Sequence, residues 1–171
     1  MPTNIEIKAR VHDRAALEAR ARQLSDQPAQ LIPQVDTFFA SSQGRLKLRE
    51  LAPGRGQLVY YVRADRDGPK RSDYRIFETS DVAGLRDLLT LALGVRGVVK
   101  KLRSLYLIGQ TRLHLDRVEG LGEFMELEVV LRPDQSDQEG MRIADDLMSR
   151  LGIRQGDLLE GAYMDLLEQR G

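Results

Sequence analysis

Arg112-Leu113-His114-Leu115-Asp116 and, beyond the turn Gly120-Leu121-Gly122, Phe124-Met125-Glu126-Leu127-Glu128 decide the fold of this chain. Every second residue is apolar, and those between are charged, ionisable or aromatic. Successive side chains of a strand point to opposite faces. Arg112, His114 and Asp116 therefore share one face of a strand over 111–118. Phe124, Glu126 and Glu128 share one face of a second strand over 124–132. Gly120 and Gly122 supply the positive φ that the intervening turn needs.

The same alternation recurs outward from this pair. Asn4, Glu6, Lys8 and Arg10 oppose Ile5, Ile7, Ala9 and Val11; Arg45, Lys47 and Arg49 oppose Leu46 and Leu48. Tyr61 and Arg63 oppose Tyr60 and Val62, and Lys101 shares a face with Arg103. Further strands are expected at 35–40, 57–64, 72–78, 97–103 and 105–109. Asp13 is placed to cap a helix to about Leu24, with Pro28 and Pro33 marking the loop after it. Ser80-Asp81 caps a second helix with Leu85, Leu88, Leu89 and Ala92 on one side. Two helices, about 137–151 and 156–169, close the chain. Eight or nine antiparallel strands with helices make an α+β plan, in which closure into a barrel would remove the sheet edges.

Length and composition set the frame. A chain of 171 residues fits one domain, 1–171, with a sizeable core. Twenty-six basic and 26 acidic residues cancel, so no nucleic-acid or membrane partner is expected. There is no cysteine and hence no thiolate or disulfide chemistry. Met-Pro-Thr-Asn-Ile-Glu-Ile-Lys lacks the apolar run of a signal peptide, and a cytoplasmic protein is expected.

A half-buried antiparallel sheet ordinarily alternates, with a solvated polar face. Such a face mixes in Ser, Thr, Gln and Asn, whereas here it is almost wholly ionisable or aromatic. If the sheet closes with helices on its apolar side, the charges line the lumen. There they must be paired, hydrated or bound to ions. Glu6, Asp116, Glu126 and Glu128 offer hard oxygen ligands suited to Mg²⁺ or Mn²⁺. Lys8, Arg45, Lys47, Arg49, Arg63, Lys101, Arg103 and Arg112 suit a polyphosphate. Carboxylates, a metal and phosphate together are the layout of phosphoryl or nucleotidyl transfer.

Five segments, in order, resemble the CYTH superfamily of triphosphate tunnel metalloenzymes. Asn4-Ile5-Glu6-Ile7-Lys8-Ala9-Arg10 is similar to the Glu-x-Glu-x-Lys signature, in the form found in the class IV adenylyl cyclase branch. Asp36-Thr37-Phe38-Phe39 with Arg45-Leu46-Lys47-Leu48-Arg49, Val99-Lys100-Lys101-Leu102-Arg103, the run Leu115 to Glu128, and Tyr163-Met164-Asp165-Leu166-Leu167 resemble the segments that follow. The resemblance implies a closed eight-stranded antiparallel tunnel with helices outside, a divalent metal and a triphosphate substrate. It places the metal on Glu6, Glu126 and Glu128, with Asp116 a further candidate. It places phosphate on Lys8, Lys47, Arg49, Lys101, Arg103 and Arg112, with Arg63 on the base or the phosphates. Glu6, Lys8, Glu126 and Glu128 form the expected catalytic set. The first Glu of the signature is Asn4 here, which can coordinate through its carbonyl but brings no charge.

Supporting roles are open for Asn4, for His114 (general base or hydrogen-bonding neighbour) and for Tyr163 (hydrogen bond to a tunnel carboxylate, or packing). Arg66, Lys70 and Arg71 read as a solvated loop. The resemblance favours conversion of ATP to cyclic AMP and pyrophosphate. The alternatives are an inorganic tripolyphosphatase, a thiamine triphosphatase or nucleoside triphosphatase, and a non-catalytic polyphosphate- or nucleotide-binding module. A homodimer is expected from the resemblance.

Overall fold

A computed structural model describes residues 2–170. Met1, where the reading against a signal peptide begins, and Gly171, where the single-domain span ends, lie outside the described residues. The strands are β1 (Thr3–Arg10), β2 (Gln30–Phe39), β3 (Arg45–Ala52), β4 (Arg55–Arg63), β5 (Lys70–Thr79), β6 (Val95–Ile108), β7 (Thr111–Val118) and β8 (Gly122–Val130). The helices are α1 (Arg14–Leu24), α2 (Val82–Leu93), α3 (Asp137–Leu151) and α4 (Tyr163–Arg170). All strands pair antiparallel in a closed barrel, in the order β1-β5-β4-β3-β2-β6-β7-β8. Every strand thus has two neighbours and no free sheet edge remains among them.

Asp13, Asp81 and Ser136 each accept a hydrogen bond from a first-turn backbone N–H, starting α1, α2 and α3. In α3, Ser136 and Glu139 form a reciprocal capping box. The apolar strand residues face outward. Ile5, Ile7, Leu113, Leu115, Leu127 and Val129 pack in one cluster with Leu17 and Ala21 of α1 and Ala144, Leu147 and Leu151 of α3. Full burial of each such large aliphatic side chain contributes roughly 1.5–3 kcal/mol. Because the outer face is the hydrophobic one, the charged face is turned into the lumen.

The elements differ from the sequence expectations in several places. The two strands expected at 97–103 and 105–109 are one strand, β6, which runs through Ser104 while pairing with β2 on one side and β7 on the other. Pro33 lies within β2 rather than in a loop. There β2 pairs with β6 alone, since β3 joins it only from Val35, so Pro33 sits in a locally one-sided, edge-like stretch where proline is tolerated. Leu88 is 63% exposed, while Leu85 and Leu89 pack on the barrel. Lys70 is not part of a solvated loop: it is 0% exposed, its ammonium donating to the carbonyls of Arg66 and Leu159.

The helix expected over 156–169 is replaced by a 3₁₀ turn at Gln155–Asp157, an extended link, and α4. The cause is tertiary. β5 pairs with β1 only from Thr3 to Glu6, leaving the far end of β1 a free ladder position. Leu158 bridges to Ala9, and the Leu159 N–H donates to the Lys8 carbonyl at 2.9 Å. The chain then turns into α4, which brings Ala162 and Tyr163 into the lumen lining. Gly97 permits this close approach: a Cβ there would stand 2.5 Å from Met164 of α4.

Candidate active site

The lumen encloses a cavity of about 290 Å³. Its depth can be followed along the strands. β2 runs Ile32, Gln34, Asp36, Phe38; β3 runs Leu51, Arg49, Lys47; β6 runs Leu105, Arg103, Lys101, Val99. At one end Ile32, Leu51, Gln57, Ile76, Leu105 and Arg112 are partly or fully exposed and form an open, mainly apolar mouth. At the other end Phe38, Val99, Phe124 and Tyr163 pack together and close it. Between them lies the charged zone.

Seven lysine and arginine side chains and four carboxylates line the cavity, a surplus of three formal positive charges. Each carboxylate is held by cations. Glu126 lies 3.2 Å from Lys8 and 3.4 Å from Arg103. Glu128 lies 2.9 Å from Arg112, and Glu6 lies 3.0 Å from Arg63. Asp36, 1% exposed, accepts two 2.9 Å bonds from Arg49, with Lys47 at 3.4 Å and Lys101 at 3.5 Å. Nε and Nη2 of Arg63 are buried with no hydrogen-bond partner among the described residues. They are donors available to an anion.

Burial and the crowd of like charges act on these groups together. Burial, then Arg49, pushes Lys47 down to about 7; burial, then Arg103, pushes Lys101 down to about 8. Burial would raise Asp36, but Arg49, Lys47 and Lys101 outweigh it and hold it well below the usual carboxylate range. Burial likewise opposes ionisation of Glu126, and Lys8, His114 and Arg103 overcome it. Glu6 is raised, by burial first and then by Glu128 across the ladder.

Thirteen of the fifteen residues expected at the site from sequence line this cavity: Asn4, Glu6, Lys8, Lys47, Arg49, Arg63, Lys101, Arg103, Arg112, His114, Glu126, Glu128 and Tyr163. Two do not. Arg45 sits by the closed end, bonded to Asp65 at 2.7 Å and to Asp165 of α4 at 2.9 Å. Asp116, 0% exposed, lies behind Arg103 rather than with the other acids. It accepts 2.8 and 2.7 Å bonds from the Arg103 guanidinium and a 2.8 Å bond from the Tyr163 hydroxyl. Its oxygens are thereby taken up in holding Arg103. Sequence reasoning did not single out Asp36, Gln34 or Tyr74. In β2 the period-two pattern carries a single charge, and in β5 the lining positions Ser72, Tyr74 and Ile76 are uncharged while Arg71, Asp73 and Arg75 fall on the opposite face.

Glu126, Glu128 and His114 present ligand atoms that all lie within 4.8 Å of one another. The His114 Nδ1 is buried and has no hydrogen-bond partner among the described residues. Two carboxylates and an orphaned imidazole nitrogen on adjacent strands fit a divalent cation. Burial, then Arg103, lowers the His114 pKa, which favours the neutral ring that a metal requires.

The structure is a closed barrel with a cation-rich lumen and a cluster of metal-type ligand atoms, a tunnel whose chemistry suits a polyanion. The chain belongs to the CYTH domain family, which matches residues 2–163. It is 36% identical over 84 residues to the adenylate cyclase CyaB of Aeromonas hydrophila; the match spans 45% of this chain and 41% of that protein, less than half of its length. A solved Pyrococcus horikoshii protein superposes with a TM-score of 0.85 at 28% identity, over 95% of this chain and 98% of that one. A Vibrio parahaemolyticus protein described as a candidate adenylate cyclase gives 0.81 at 20% identity, over 96% and 97%. A Hippeastrum protein, described as a candidate adenylyl cyclase with a dominant triphosphatase activity, gives 0.64 at 16% identity, over 93% and 91%. At 20% and 16% identity these last two speak to the fold alone. Among the described residues no helix is long and apolar enough to cross a membrane.

Proposed function

We propose that this chain is a divalent-metal-dependent adenylyl cyclase that takes ATP triphosphate-first through the open mouth. The observation that carries this reading is the order of side chains along the tunnel. The mouth offers apolar surface from Ile32, Leu51, Ile76 and Leu105, with Gln57 able to hydrogen-bond a base edge. Next inward come Glu128, His114, Arg103 and Arg49; then Glu126, Lys101 and Lys47; then Lys8 and Arg63 toward the closed end. A nucleotide entering this way keeps its base at the mouth. Its α-phosphate faces the acidic cluster, and its β- and γ-phosphates reach the deeper lysines. The 36% identity with an adenylate cyclase over 84 residues supports the same reading.

Glu126 and Glu128 would hold the metal, with Glu6 paired opposite Glu128 across the β1–β8 ladder. A divalent ion supplies charge neutralisation at phosphate oxygens and acidifies a bound hydroxyl. The protein's own groups do the rest. Arg103, Arg49 and Arg112 fix the α-phosphate, while Lys47, Lys101, Lys8 and Arg63 take the charge that grows on the departing pyrophosphate. The ribose 3′-oxygen forms a bond to the α-phosphorus as the bond from that phosphorus to the β-bridging oxygen breaks, and the hydroxyl proton is released. On binding, these cations would exchange their carboxylate partners for phosphate oxygens, leaving Glu126 and Glu128 free to hold the metal.

The reading is tested by supplying ATP and inorganic tripolyphosphate separately, each with Mg²⁺ and with Mn²⁺. Turnover of ATP to a cyclic nucleotide, with tripolyphosphate acting only as a competitive inhibitor, is expected. Faster hydrolysis of tripolyphosphate than of ATP would move the assignment to a triphosphatase. Binding of both without turnover of either would make the chain a binding module.

A further inference from the structure

We infer that His114 is a metal ligand, and that Nδ1 of His114 with Glu126 and Glu128 forms a mixed nitrogen–oxygen site selecting Mn²⁺ or a similar transition ion over Mg²⁺. This rests on the metal-dependent reading above and adds the identity of a ligand and of the ion.

His114 pairs directly with Glu126 across the β7–β8 ladder, and Glu128 lies two residues along β8 on the same face. Three side chains of one rigid patch therefore converge without help from a loop. The nitrogen stands 3.7 Å from Oε2 of Glu126 and 3.8 Å from Oε1 of Glu128. Both separations are too long for hydrogen bonds. They suit atoms that share an ion, because ligands at roughly 2.0–2.2 Å from a common metal stand roughly 3–4 Å apart. The remaining contacts leave this arrangement open. Arg112 binds Oε2 of Glu128 and Lys8 binds Oε1 of Glu126, so the Glu128 oxygen facing His114 has no competing donor among the described residues. Among the described residues the Glu126 oxygen is otherwise shared only with Arg103, at a long 3.4 Å.

His114 is 5% exposed, and its Nδ1 has no hydrogen-bond partner among the described residues, only the two carboxylates at 3.7 and 3.8 Å. A buried polar atom left this way is uncommon in a native structure unless an ion or ligand satisfies it. The chemistry of the donor set points to the ion. Mg²⁺ prefers all-oxygen octahedra that retain several waters. Imidazole raises affinity along the series from Mn²⁺ toward Zn²⁺. Asn4, which occupies a lining position on β1, adds no charge that would restore an all-carboxylate site.

The test is direct metal binding, read without turnover. Mn²⁺ is titrated into the purified protein, with and without tripolyphosphate, and followed by the loss of the free-ion electron paramagnetic resonance signal and by nitrogen couplings in the bound-ion spin echo. The wild type is expected to bind Mn²⁺ at least tenfold more tightly than Mg²⁺ and to show coupling from one imidazole. His114→Gln and His114→Ala should lose that coupling and bind Mn²⁺ at least tenfold more weakly, with Mg²⁺ affinity changed little; circular dichroism verifies that either variant is folded. Mn²⁺ bound without nitrogen coupling, yet abolished in Glu128→Gln, would overturn the histidine ligand while leaving the metal reading intact. No Mn²⁺ binding with or without tripolyphosphate would overturn both.

Discussion

Asp116 and Arg103 form a two-point ion pair at 2.8 and 2.7 Å, sealed from solvent and shared with the Tyr163 hydroxyl at 2.8 Å. The pair ties Arg103, which we propose contacts phosphate, to the helix that closes the tunnel. A carboxylate so engaged is a positioning group. Asp116→Asn should destabilise the fold by about 3–5 kcal/mol, the cost of leaving a buried charge without its partner. Tyr163→Phe should cost only about 1–2 kcal/mol. Denaturant unfolding of both variants checks the ranking. Equal losses would mean that the ion pair with Arg103 contributes no more than the hydroxyl bond to Asp116.

Asp36 is paired with Arg49, Lys47 and Lys101, and in the proposed binding mode it would compete with the triphosphate for them. Asp36→Asn removes the competitor while exposing three buried cations to one another. The empty variant should melt lower than wild type, and its thermal shift on adding tripolyphosphate should exceed the wild-type shift. Calorimetric melting with and without tripolyphosphate decides this; a smaller shift in the variant would make Asp36 part of the phosphate site rather than its place-holder.

The pH dependence of binding follows from the depressed lysines. In the empty tunnel Lys47 titrates at about 7 and Lys101 at about 8. A bound polyanion favours the charged form of both, which raises their pKa values. Binding at pH 8 must therefore take up protons, and affinity must fall as pH rises above 7. The slope approaches about tenfold per pH unit for each proton taken up. Below pH 6 both lysines are already charged and contribute no slope. Titration calorimetry at pH 8 in two buffers of different ionisation enthalpy measures the uptake directly, and zero uptake would refute the depressed lysines.

The apolar mouth separates nucleotides from bare polyphosphates. Leu51→Ala and Ile76→Ala remove surface that only a base or ribose would touch. Together they should raise KM for ATP by about tenfold, corresponding to about 1.4 kcal/mol of lost contact. Affinity for tripolyphosphate should stay within about twofold. Equal weakening of both ligands would place the base elsewhere.

The side of the sheet on which a residue lies was legible in the sequence; its height along the barrel was not. Alternation put Arg45 beside Lys47 and Arg49, and all three do share a face. Only its bonds to Asp65 and Asp165 reveal that it has left the cavity. Asp116 was read on the correct face, but its capture by Arg103 depends on two strands meeting in a particular register. Asp36 escaped because its strand contains Pro33 and uncharged polar residues, so nothing local distinguishes its carboxylate. The end of the chain was misread for a related reason. Leu158 and Leu159 look helical by pattern, yet the unpaired end of β1 recruits them as ladder partners, which local propensity cannot anticipate.

The most direct measurement is phosphorus NMR of the purified protein turning over ATP with Mn²⁺. Two products are expected in equal amounts, cyclic AMP and pyrophosphate, with the α-phosphorus resonance moving to that of a cyclic diester. Appearance of ADP with orthophosphate, and no cyclic diester, would place the attack at the terminal phosphorus and contradict the orientation assigned to the tunnel.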